Sequence, residues 1–183
     1  MRKLFLVVLF ILGSTGAHAQ VVKERSVDVS IGMGISAPYD EYDVIGSGFY
    51  AQGEYVLHLA SWIDVRAYLG MIIAEKIEDE EKEKGYRSTS SAALFGGKTR
   101  ITAPIPWFAP YIELGYGASL GSFETYTPLT GKEQSGLLFH FPFTLGVGLG
   151  PDHRVNLEFT YYFHDSVQQF SGAAAVGLSI PLK

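Results

Sequence analysis

The chain of 183 residues has no cysteine, so no disulfide holds it together and no thiol can carry a lipid at an N-terminal cleavage site. It is also short of basic residues. Its 14 Lys and Arg stand against 19 Asp and Glu, which excludes the clustered cationic surface that nucleic-acid phosphates require. Long apolar runs are missing too: the run Leu4–Leu12 falls well short of the ~20 residues of a spanning helix. It follows Arg2 and Lys3 and precedes small residues ending Ala17-His18-Ala19, the order of a secretory signal peptide cut after Ala19. Residues 20–183 are then expected to form one domain, carrying 12 basic and 19 acidic residues, with no linker, repeat or low-complexity segment to divide it.

Helical apolar spacing is absent after this leader, and alternation with a period of two takes its place. In RSVDVSIGMGISA, Val27, Val29, Ile31, Met33 and Ile35 share one face; Asp28, Ser30, Gly32 and Gly34 share the other. The pattern returns in GFYAQGEYVLHL, WIDVRAYLGMIIA, SSAALFGGKTRITA, YIELGYGASL, GLLFHFPFTLGVGL, RVNLEFTYYFHDS and FSGAAAVGLSIPL. Strands of roughly ten residues or more match what a tilted strand needs to cross a bilayer. Soluble sheets use shorter ones, of about 5–6 residues. The connections after strands two, four and six are compact: Ala60-Ser61, PIPWFAP and GPDH. Those after strands one, three and five are longer and polar: PYDEYDVIGS, EKIEDEEKEKGYRS and GSFETYTPLTGKEQS; the one after strand seven, Asp165–Gln169, is short. The predicted fold class is all-β, a closed antiparallel eight-stranded up-and-down transmembrane β-barrel. Closure is required because an open edge would leave backbone groups without partners in lipid.

Charge then assigns the faces. Lys98 and Arg100 would cost about 2–4 kcal/mol each on the lipid side at mid-membrane. Their alternation set must point inward, together with Glu54, Asp64, Arg66, Glu113 and Glu158, as a lumen charge network of mixed sign. Eight strands enclose a space that side chains just fill, so the lumen is expected to be plugged. Gly32, Gly34, Gly70, Gly115, Gly117, Gly146 and Gly148 would make room for the longer side chains. Trp62, Trp107 and Phe108, with Tyr111, fall near the turns; Phe139, Tyr161 and Phe163, with Phe49, Tyr50 and Phe123, fall toward the loops. Both groups are read as aromatic girdles at the two interfaces.

Together these features resemble the small outer-membrane β-barrel proteins of Gram-negative bacteria, the family of the outer-membrane protein A and X barrels. One departure is that the sequence closes on LSIPLK, where such barrels commonly end in an aromatic residue. The resemblance implies an outer-membrane location, contact with outer-membrane lipid and lipopolysaccharide, and insertion by the barrel-assembly machinery. It implies a monomer without cofactor or enzymatic activity, with a structural or interaction role through its extracellular loops.

One branch of such barrels, the lipid A deacylases, uses a His and a Ser two residues apart on one strand face, followed by an Asn. His164 and Ser166 have that spacing, and a base within reach of a hydroxyl is what acyl hydrolysis requires. Against it, Val167 stands in place of the Asn, no Asp or Glu follows Asp165, and alternation turns both His164 and Ser166 into the lumen. The favoured reading is the polar end of a strand entering a loop. A deacylase-like hydrolase, a small pore plugged by Lys98 and Arg100, and a soluble lipocalin-like barrel are the alternatives. The acidic run Glu75–Lys84 lacks the ligand spacing of a calcium loop and is read as a solvated loop. His58 and His140 lie in separate strands without metal-ligand spacing, so no metal site is expected.

Overall fold

The computed structural model describes residues 22–39, 45–75, 87–127, 129 and 131–182. The leader, residues 1–19, and most of the acidic run lie outside them. Eight strands follow in order: β1 (Glu24–Pro38), β2 (Gly46–His58), β3 (Ile63–Glu75), β4 (Arg87–Thr102), β5 (Trp107–Tyr126), β6 (Gly131–Gly150), β7 (Val155–His164) and β8 (Gln169–Leu182). A single 3-10 turn, Asp165–Val167, joins β7 to β8. Every strand pairs antiparallel with its neighbour in sequence, and β8 pairs with β1, so the barrel is closed. Following the register from Glu24 through His58, Asp64, Arg100, Glu113, Thr144, Thr160 and Ala173 leads back to β1 at Gly34, ten residues from the start. That offset, with eight strands, fixes the strand tilt and the narrow bore together.

The alternation places the residues where their chemistry demands. Ile31, Leu69, Leu114, Leu120 and Leu178 are exposed on the outside, whereas Asp28, Glu54, Arg66, Lys98 and Glu113 are buried within. A protein dissolved in water would reverse this, so the outer surface is built for hydrocarbon. No helix among the described residues is long and apolar enough to cross a membrane. The ten residues of β7 set the scale. At about 3.3 Å per residue and a tilt of about 40°, such a strand rises roughly 25 Å, the height of a barrel's apolar band.

Two expected boundaries are corrected. The turn PIPWFAP contracts to residues 103–106, because β5 already begins at Trp107, and the Ile105 N–H closes the turn on the Ala103 carbonyl. The fifth connection is largely not a loop: β5 and β6 continue as a hairpin whose pairs include Phe123↔Gln134, Glu124↔Glu133 and Tyr126↔Gly131. Its polarity marks the exit of these strands from lipid, while the alternation persists, with Phe123 and Thr125 turned inward.

Candidate functional site

The lumen is filled in two layers. The layer toward the turns is ionic and centred on Arg66, whose guanidinium is shared among three strands. Its Nη1 donates to Asp28 Oδ2 on β1 and to Glu54 Oε2 on β2, both at 2.7 Å. Its Nε donates to Asp64 Oδ1, two residues back on β3, at 2.6 Å. Lys98 Nζ lies between two carboxylates, 2.5 Å from Glu54 Oε1 and 2.7 Å from Glu113 Oε2. Arg100 Nε donates to Glu113 Oε1 at 2.6 Å, and the guanidinium stacks 3.6 Å from the Tyr111 ring centroid. Ser179 on β8 donates to Asp28 Oδ1 at 2.5 Å, tying the last strand to the first.

Among the described residues five buried carboxylates thus face three buried cations. Glu158 is the carboxylate left over: its Oε2 accepts from the Tyr111 hydroxyl at 3.2 Å, and its Oε1 has no hydrogen-bond partner. Glycines make the layer possible, since a Cβ on Gly146 would lie 2.3 Å from the Tyr111 ring. Below this layer a cavity of about 430 Å³ opens at the turn end, bounded by Ser26, His58, Asp64, Arg66, Arg100 and Asn156 among others.

The layer toward the loops is neutral. Tyr162 donates to Gln52 Oε1 at 2.6 Å and meets the Tyr50 hydroxyl at 2.9 Å. Beside them runs a chain of hydrogen bonds with one possible direction when both imidazoles are neutral. His164 Nδ1 lies 3.1 Å from the Tyr162 carbonyl, which can only accept, so Nδ1 carries the proton and Nε2 must accept. The Ser119 hydroxyl therefore donates to His164 Nε2, at 2.8 Å, and accepts from His140 Nδ1 at 2.7 Å. His140 Nε2 is left to accept from the Tyr68 hydroxyl at 2.6 Å. Gly117 gives that hydroxyl its space, because a Cβ there would fall 2.0 Å away. Phe123, Ile72, Leu94 and Val167 pack around this chain, and Val167, in the 3-10 turn, is fully buried beneath the loop end.

The sequence-derived residues sort as follows. Glu54, Asp64, Arg66, Lys98, Arg100, Glu113 and Glu158 all lie inside the ionic layer. Asp28, left out of that set, belongs to it; the signal was its parity, since it alternates with the apolar outer face of β1 and a carboxylate there has only the lumen to enter. Trp62, Trp107, Phe108, Phe139 and Phe163 are exposed on the outer surface, and Tyr161 stacks beside Phe163. Tyr50, Tyr111 and Phe123 are a correction: all three are buried in the lumen and form no part of a girdle.

His164 and Ser166 are not brought together. The strand ends at His164, and the 3-10 turn breaks the alternation, so Ser166 is exposed and Val167 points inward instead. The partner of the imidazole is Ser119, a residue 45 positions earlier that local spacing could not have found. Among the described residues no cluster of His, Asp or Glu could hold a metal ion.

No family model and no curated protein sequence matches the chain. Solved structures do. Neisserial surface protein A superimposes with a TM-score of 0.62 at 11% identity, over 86% of this chain and 97% of that one. Ail, the attachment invasion locus protein of Yersinia pestis, gives a TM-score of 0.47 at 14% identity, over 87% and 98% of the two chains. The outer membrane enzyme PagL gives 0.49 at 14% identity, over 85% and 99%. At such identities the likeness is one of architecture: the chain has the fold of the small eight-stranded outer-membrane barrels.

Proposed function

We propose that this protein is a monomeric outer-membrane barrel that neither catalyses nor conducts, and that it acts through the end of the barrel that carries the loops. The observation that carries this reading is the filled lumen: an ionic layer below, a hydrogen-bonded neutral layer above, and Val167 beneath the loop end. Side chains engaged in this way hold the barrel together and leave its rims and outer wall for interaction. The exposed apolar wall favours outer-membrane lipid and lipopolysaccharide as surroundings over water, which weighs against a soluble ligand carrier. Insertion by the barrel-assembly machinery belongs to the same proposal.

The hydrolase alternative is disfavoured because the His164 ring is turned inward onto Ser119, away from Ser166. Cell fractionation with a heat-modifiability gel tests the foundation. The protein is expected with the outer membrane, its boiled and unboiled forms migrating apart; recovery in a soluble fraction overturns the reading. Lipid A from overexpressing cells is expected to keep all its acyl chains. A loss that disappears in His164→Ala and Ser166→Ala variants would restore the enzyme.

A further inference from the structure

The donors of the turn-end cavity are only partly used. Arg100 gives its Nε–H to Glu113 and one Nη1–H to Asn156 Oδ1, at 2.6 and 3.4 Å. Its other N–H groups meet no acceptor among the described residues. Asn156 Nδ2 has no partner there either, because the bond from Arg100 turns the amide oxygen, and not the nitrogen, toward the guanidinium. Arg100 is 6% and Asn156 3% exposed, yet neither unpartnered nitrogen is sealed from solvent. Both residues line the cavity, so their free N–H groups open into it.

A guanidinium edge beside an amide N–H matches the two oxygens of a carboxylate. A bare anion is nevertheless the wrong ligand, since among the described residues five buried carboxylates already face three buried cations in this layer. The ligand must bring a positive charge of its own. Acceptors for that charge line the same cavity: Asp64 Oδ2 receives only a long bond, 3.3 Å, from Arg66 Nη2, with Asp28 on the same side and Glu24 at the rim. A carboxylate offers about four lone-pair sites, so Asp64 can accept more.

We propose that the turn-end cavity binds a small zwitterion, an amino acid or a short peptide with free ends, its carboxylate on Arg100 and Asn156 and its ammonium on Asp64. The volume of about 430 Å³ falls within the range of small-molecule sites, about 300–1,000 Å³. Arg100 is held ready for this role by its stacking on the Tyr111 ring, 3.6 Å from the centroid, which fixes the plane of the guanidinium. The mouth lies at the turns, so in the orientation proposed above the solute comes from the periplasm. This site goes beyond the action proposed for the loop end and does not depend on it.

The test titrates the whole folded protein in nanodiscs with alanyl-alanine, followed by saturation-transfer NMR. Its N-acetylated and C-amidated forms are the comparison. The free dipeptide is expected to bind at least ten-fold more tightly than either blocked form. Asn156→Asp keeps the oxygen that Arg100 bonds and exchanges the Nδ2 donor for a second oxygen, and is expected to weaken binding ten-fold or more in a barrel that still gives the folded gel band. The peptide comparison needs no variant, so it decides the matter even if that band is lost. Equal binding of the amidated form reduces the cavity to a cation site, and equal binding of the acetylated form reduces it to an anion site. Either result overturns the proposal, as does the absence of saturable binding or undiminished binding by folded Asn156→Asp. Fractionation that places the barrel outside the outer membrane removes the periplasmic source alone and leaves the binding result standing.

Discussion

At the level of residues, the ionic layer is unevenly balanced, and this can be measured. Glu113 is wedged between Lys98 and Arg100, so neutralising it takes from Arg100 its carboxylate and leaves Lys98 with Glu54; Glu113→Gln is expected to cost about 3 kcal/mol or more. Among the described residues Glu158 has no cationic partner within ion-pair distance and has one unsatisfied oxygen, so Glu158→Gln is expected to be neutral or stabilising. Urea titration of the folded gel band separates the two, and equal losses would contradict the assignment of Glu158 as the surplus charge. In the neutral layer Ser119→Ala leaves a donor on His140 and an acceptor on His164 unpaired, at a cost of about 2 kcal/mol or more. The same titration checks it. The ionic layer was legible in the sequence, because a charge has only one tolerable face in a membrane strand. The neutral layer was not: Tyr68, Ser119, His140 and His164 meet across β3, β5, β6 and β7, and which inward residues touch depends on the ten-residue offset of the register, which no single strand reveals.

Among the elements, alternation located all eight strands but not their ends. Composition reads the β5–β6 hairpin as a loop because Ser, Thr, Glu and Gly replace the apolar residues there, although composition reports the solvent and not the backbone. The β7–β8 connection misled in the opposite sense, since period-two counting cannot see a 3-10 turn that removes Ser166 from its face. That turn closes on Gln168 in the left-handed conformation, φ 50° and ψ 42°, which a residue with a Cβ adopts at a cost of roughly 1–2 kcal/mol. Gln168→Gly is expected to raise stability by up to about 1 kcal/mol, read as a later midpoint in the same gels.

For the whole molecule, the two layers make different seals. The cavity at the turn end reaches Arg66 and Arg100, whereas Lys98, Glu54 and Glu113 stay buried beyond it; the neutral layer is expected to be the tighter of the two seals, since its side chains carry no charge to draw water. Truncating it with Tyr68→Ala and Tyr162→Ala together is expected to give measurable conductance in planar bilayers, where the unaltered protein stays silent. Silence from a correctly folded double variant would assign the seal to the ionic layer instead.

The ring of ion pairs also constrains how the barrel comes into being. Asp28, Arg66, Lys98, Glu113 and Ser179 belong to the first, third, fourth, fifth and last strands, and Ser179 reaches Asp28 only across the β1–β8 seam. A half-built sheet lying in hydrocarbon would hold guanidinium and carboxylate groups with their partners still on undelivered strands. Insertion one hairpin at a time is therefore disfavoured for this chain, because Asp28–Arg66 and Glu54–Lys98 each join strands two apart and the Ser179–Asp28 bond waits for closure; the strands are expected to curl together before the wall meets the lipid.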